Sequence, residues 1–136
     1  MATWLYQMSA ESYSPERYRE DVWEGQITRW PTGNVRSESG AELSPGDIII
    51  LAFVKTGTHE PGIYGWGIIT NYREGSQTIF FRPTYPSDFL KMIPIWGGDV
   101  SDILDKIRGP VKVGTMWEMQ YEFVAKLREK IHAWIS

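Results

Sequence analysis

Apolar and polar positions alternate along the chain in a way that predicts strands first and helices later. Thr3 to Met8 is short and apolar and predicts a first strand. Ser14-Pro15 supplies an N-cap serine and a proline at the first helical position, so a short helix is expected to end near Asp21. Gln26 to Trp30 predicts a second strand, broken by Pro31-Thr32-Gly33-Asn34. The turn Ser44-Pro45-Gly46-Asp47 precedes the run Ile48 to Val54, a β-branched stretch that predicts a buried strand.

Beyond a polar loop over Lys55 to Pro61, Gly62 to Thr70 predicts a strand carrying Gly62, Gly65 and Gly67. Three glycines in one strand point to a bulge or to a close approach by another group, a ligand included. Glu74-Gly75 turns the chain into a hairpin strand over Thr78 to Arg82, and Met92 to Trp96 predicts a further strand. Val100, Ile103, Leu104 and Ile107 follow helical spacing between Asp99 and Gly109-Pro110. Thr115-Met116-Trp117-Glu118 has the form of a capping box, and Tyr121, Val124, Leu127, Ile131 and Trp134 would then share one helical stripe. Five or six strands with peripheral helices imply an α+β domain around a mixed or antiparallel, barrel-like sheet.

The chain has 136 residues, the size of one domain over 1–136, large enough to fold without disulfides or metal. It has no cysteine, which excludes disulfide scaffolds, thiolate zinc sites and thiol catalysis. Met1-Ala2-Thr3-Trp4 lacks the character of a signal peptide, and the longest apolar run is too short to span a bilayer, so a cytoplasmic protein is expected. The formal charge of −3 gives no whole-domain basic footprint, so any nucleic-acid contact needs clustered basic side chains.

Catalytic signatures are missing. Lys55-Thr56-Gly57 has no Ser-x-x-Lys to accompany it, and His59-Glu60 matches half of a deaminase motif whose cysteines are absent. No phosphate-binding glycine loop and no nucleophile elbow occurs. His59 and His132 read as surface histidines. A binding module that needs no cofactor and no metal is expected, rather than an enzyme.

The chain is rich in rings, with seven Trp, seven Tyr and five Phe. Many fall near turns and strand ends, where they can line a concave pocket for a planar ligand. Trp23 and Trp30 are candidates, as are Tyr64 and Trp66, which on a regular strand would face the same side. Trp117 is placed at a helix start, and Tyr85 on a Pro-rich loop over Pro83 to Asp88 that can act as a lid. Asn34 and Asp88 are candidates for reading a ligand's polar edge, and Arg29, Arg36 and Arg82, with Arg73 beside them, for phosphate contacts. For each ring the alternative is an ordinary packed core position. Asp47 reads as structural, satisfying its own Pro-Gly-Asp turn.

Thr3-Trp4-Leu5-Tyr6, Val22-Trp23-Glu24-Gly25, Pro45-Gly46-Asp47, Pro61-Gly62-Ile63-Tyr64-Gly65-Trp66-Gly67, Arg82-Pro83 and Gly114-Thr115-Met116-Trp117-Glu118 form an ordered series along nearly the whole chain. This series resembles the EVE domains of the PUA-like superfamily, relatives of the YTH domains. Arg36 to Leu43 departs from the series as a local insertion. The resemblance implies a small twisted β-barrel with helices packed around it. It also implies a reader of a modified base of 5-methylcytosine type, flipped or single-stranded, within a modification-dependent restriction or defence system. DNA is then expected ahead of RNA, with a nuclease or ATPase as possible partner and no membrane. Trp23, just after the first helix, would stand where related readers place a cage tryptophan. Two other readings stay open on the same barrel: a small-molecule or protein-interaction module, and an RNA-binding module. Stacking contributes about 1–3 kcal/mol per base, whereas one buried methyl contributes only about 0.8 kcal/mol.

Overall fold

The computed structural model describes residues 2–9, 15–33, 35–37, 39–54, 62–84, 116–126 and 129. Its elements are β1 (Thr3–Ser9), α1 (Pro15–Glu24), β2 (Thr28–Pro31), β3 (Val35–Arg36), β4 (Ile48–Val54), β5 (Gly62–Arg73), β6 (Thr78–Thr84) and β7 (Met116–Glu118), with residues 121–126 helical. The strands form one mixed seven-stranded sheet in the order β2-β6-β5-β4-β1-β7-β3. The α+β class is as expected. The expected strand Met92 to Trp96, the helix around Val100 to Ile107, His59 and His132 lie outside the described residues; of the expected loop over Pro83 to Asp88, Pro83 and Thr84 end strand β6 instead and the rest lies outside them.

The sheet is strongly curled. Its two outermost strands, β2 and β3, are consecutive in the chain, and only residues 32–34 join them. That link reaches about 14 Å at most when extended. A flat sheet would hold strands six places apart at roughly 29 Å. A second tie closes the same curl. The Tyr6 hydroxyl on β1 donates to the Pro31 carbonyl at the end of β2, 2.6 Å away, although β1 and β2 stand four places apart in the sheet. Burial pushes the Tyr6 phenol far above its usual pKa, so it remains a neutral donor. Among the described residues no pairing joins β2 to β3, so the expected barrel is a curled sheet left open at that seam.

The concave face holds the core. Trp4, Tyr6, Ile49, Leu51, Ile69, Ile79, Phe81 and Met116 project into it, and α1 adds Tyr18. Leu5, Ile50 and Trp117 lie on the opposite face, one beside the other across β4, β1 and β7, and are buried too. Strand β4 is therefore covered on both sides, which explains its unbroken apolar run. Gly67 is required by packing: a Cβ there would lie 2.7 Å from the Phe81 ring and 3.1 Å from the Arg82 carbonyl. The close approach that the glycines signalled at this position is made by the protein's own core.

Asp47 ties the start of the sheet together. Its buried carboxylate accepts hydrogen bonds from the Ala2 amide, the Trp4 indole N–H and the Ser44 amide, each at 3.0 Å. The preceding Gly46 has φ +92°, a left-handed conformation suited to glycine, and its amide donates to Ile69 at 2.8 Å. The structural role read for Asp47 thus extends beyond its own turn to β1 and β5.

Three local expectations are corrected. Helix α1 runs to Glu24, one turn past Asp21. It closes in a Schellman motif, with Gly25 at φ +69°, Gly25 N–H bonded to Val22 O and Gln26 N–H to Asp21 O. The capping box at Thr115 to Glu118 is overridden, because Met116 to Glu118 form strand β7 against β1. There Met116 and Trp117 are buried opposite Tyr6 and Leu5, a gain that the local helix signal does not match. In the helical segment that follows, Val124 is buried, but Tyr121 of the expected apolar stripe projects into solvent. Leu127, Ile131 and Trp134 lie outside the described residues.

Strand β3 pairs parallel to β7, and Glu118 holds the chain that follows it. Its carboxylate accepts from the Ser37 hydroxyl at 2.8 Å and the Ser39 hydroxyl at 2.7 Å. The segment read as an insertion is thus stitched into the sheet, and Leu43 at its end enters the core.

Replacing Asp47 with Ala strands three donors, two of them on buried or half-buried groups. At about 1–3 kcal/mol for each buried unsatisfied group, chemical denaturation is expected to show a loss of about 2 kcal/mol or more. A loss under about 1 kcal/mol would contradict this role for the carboxylate.

Partial desolvation raises the Glu118 pKa, but the hydrogen bonds from Ser39 and Ser37 outweigh it and hold the group below its ordinary value of 4.5. A depressed carboxylate stabilises the folded form above the unfolded pKa, and this is lost as pH falls through the folded value. Amide exchange at Ser39 and Ala41, corrected for its intrinsic pH dependence, is therefore expected to accelerate as pH drops below about 4.5. The same profile should be flat in Glu118→Gln; equal profiles in the two proteins would refute the linkage.

Candidate functional site

The expected pocket tryptophans separate into three environments. Trp23 lies in the last turn of α1 rather than after the helix. The core-facing residues of that helix are Tyr18 and Val22, so Trp23 points away from the core and is 79% exposed. The Schellman turn at Gly25 follows directly and leads through Ile27, also exposed, into β2.

Trp30 lies on β2 and pairs with Ile79, so it faces the concave side, where it is half-buried against the core. Its indole N–H donates to the Thr28 hydroxyl at 2.9 Å. The Arg17 guanidinium of α1 lies over its ring, 5.9 Å from the centroid. This cation–π contact fixes helix to strand and occupies one face of the indole. Trp30 can therefore serve as a wall only through its remaining exposed edge, or once Arg17 moves aside.

Trp117 is a correction. It is 3% exposed in β7, between Leu5 and Arg36 in the register, and offers no face to a ligand. Its indole N–H finds no acceptor among the described residues. Neither free helix amides nor a phosphate site exists at Trp117, because it belongs to a strand.

Tyr64 and Trp66 both lie on β5. The pairing of β4 with β5 passes from Leu51↔Gly65 to Ala52↔Ile63 and skips Tyr64. The expected regular strand is therefore interrupted by a bulge at Tyr64. The backbone of Trp66 pairs with Ile50 and Thr84. Tyr85, Asn34 and Asp88 lie outside the described residues.

The phosphate candidates divide as well. Arg29 on β2 and Arg82 on β6 are exposed on adjacent strands of the convex face. Arg36 is exposed on β3, across the open seam from β2. Strand pairing therefore sets Arg29 and Arg82 on neighbouring strands, while Arg36 shares no paired strand with them.

A hollow of about 460 Å³ opens beside the Pro45-Gly46 turn, lined by Ala2, Ala41, Glu42, Ser44, Pro45, Gly46 and Asp47. It contains no ring, and the Asp47 carboxylate is already taken up by three donors. It lacks the stacking surface that a nucleobase needs. The aromatic and basic side chains instead gather around β2, the strand that carries Arg29 on one face and Trp30 on the other.

No family model matches the chain, and no curated protein matches it. Solved structures do. An NMR structure of a protein from Rhodopseudomonas palustris aligns with a TM-score of 0.65 at 14% identity, covering 96% of this chain and 92% of that one. Crystal structures of proteins from Pseudomonas syringae (TM-score 0.56, 13% identity) and Pseudomonas putida (TM-score 0.55, 15% identity) each cover 95% of this chain and 99% of their own. At such identities the likeness is one of fold alone.

Proposed function

We propose that this chain is a nucleic-acid-binding module of the PUA-like, EVE-domain kind, which receives a modified base at the corner between α1 and β2. On this reading the curled sheet is an incompletely paired version of that small barrel. The base is of 5-methylcytosine type and comes from a flipped or single-stranded position. The module carries no chemistry of its own and acts in the cytoplasm beside a nuclease or ATPase that does.

The observation that carries the reading is the exposure of Trp23. A tryptophan offering 79% of its surface to solvent forgoes a burial gain of about 2–3 kcal/mol, and stacking on a base recovers part of that. Trp30 and Arg17 stand at the same helix–strand junction, a ring and a guanidinium plane beside which a flat base can stack. The sequence resemblance supplies the identity of the base.

Intrinsic tryptophan fluorescence tests the reading. A short single strand carrying 5-methylcytosine is expected to quench the emission at low salt. Trp23→Ala should abolish most of that quenching while leaving the circular dichroism unchanged. The preference over the unmethylated strand is expected to be about four-fold if burial of one methyl is its whole source. Absence of quenching by any strand, methylated or not, would overturn the reading.

A further inference from the structure

The convex face of β2, β6 and β5 carries a strip of arginines. Arg82 pairs with Ile68, Arg29 pairs with Phe80, and Arg73 pairs with Thr78. Paired residues share a face, and Arg82, Phe80 and Thr78 alternate along one strand. The three arginines therefore occupy three successive rows of a single face, with about 7 Å between rows. All three are exposed, and no described carboxylate is paired with any of them. Glu74 opens the turn just beyond Arg73.

The strip is also aromatic and apolar. The Arg73 guanidinium lies over the Phe80 ring, 4.9 Å from its centroid, and Ile68 is 44% exposed beside Arg82. Three cations without a paired carboxylate on one face make a local positive patch on a chain of net charge −3, and such a patch attracts an anionic partner. Their row spacing is of the same order as that between successive phosphates of an extended strand. A guanidinium already stacked on a ring presents a plane on which a base can stack.

We propose that this face is the track of a single sugar–phosphate strand, with Arg82, Arg29 and Arg73 each meeting a phosphate and the Arg73–Phe80 pair supporting a base. The proposal rests on the nucleic-acid reading above but not on any base modification. Strand β2 forms the border between the two parts of the surface: Arg29 holds the backbone on the convex side, and a base passing over the edge of β2 arrives at Trp30 and Trp23. An acidic peptide would also answer the charge, but not the stacked guanidinium.

The test uses the full chain and a labelled, unmodified oligothymidine, with anisotropy read across a salt series. The double variant Arg29→Gln/Arg82→Gln is expected to bind roughly ten-fold or more weakly at low salt. The slope of log affinity against log salt should fall by about 1.4, at roughly 0.7 for each lost contact. Both side chains are exposed, so circular dichroism should be unchanged, and Arg73→Gln provides a separate check on the third row. The proposal is overturned if the wild-type protein fails to bind, if the variants keep its affinity and slope, or if polyglutamate binds as tightly as the strand. A methylcytosine strand separates the two readings. Arginine-dependent binding without preference for that strand leaves the track standing and removes the base reader. A retained preference with arginine variants at wild-type affinity does the reverse.

Discussion

Three residues join the two ends of the sheet, and a chain that short cannot cross a flat one. The link from Pro31 to Val35 obliges the seven-stranded sheet to curl until its two edge strands approach each other. The Tyr6–Pro31 hydrogen bond then spans the interior at 2.6 Å. The other principal features follow from this wrapping. The concave side closes over Trp4, Tyr18 and Phe81 and becomes core. The mouth near β1 is pinned by Asp47, whose carboxylate must be buried to reach the Trp4 indole. Among the described residues the concave side is occupied by core side chains, so the proposed reading places recognition at the edge and the outside.

Strand β2 translates that constraint into chemistry. On a strand, neighbouring side chains point to opposite faces. Arg29 therefore reaches solvent on the convex side while Trp30 turns inward beneath Arg17. The Schellman turn at Gly25 delivers α1 into β2 and leaves Trp23 and Ile27 on the surface of the corner. Aromatic and basic groups thus occupy two sides of one edge. On the proposed reading, the backbone and the base of a bound strand are held on these two sides.

Much of this fold can be read in the sequence, and the exceptions have physical causes. Ile48 to Val54 was legible end to end because both of its faces are covered, so no polar residue interrupts it. The Pro45-Gly46-Asp47 turn and the Glu74-Gly75 hairpin were legible because turn chemistry is local. Strand β7 was not, since Thr115 to Glu118 has the local grammar of a helix start, and only the distant partners Leu5 and Tyr6 make a strand of it. Strand β3 has two residues and no signal apart from its pairing with β7. The end of α1 was legible in principle, since Gly25 is the C-cap glycine that the helix uses. The site was legible as a set of residue types but not as a place. Trp23 and Trp117 both stand beside turn signals in the sequence. The structure puts one on the surface and the other in a buried strand, because burial depends on register and register is not local.

The proposed reading confines recognition to the convex face of β2 and to the exposed corner between α1 and β2. Backbone amide and indole shifts, mapped by heteronuclear NMR during titration with a short single strand, test it most directly. The account predicts changes at Arg29, Phe80, Arg82 and the Trp23 indole, with Asp47 and the Trp4 indole unmoved. Shifts concentrated at the Ala2–Asp47 hollow, with β2 silent, would contradict it.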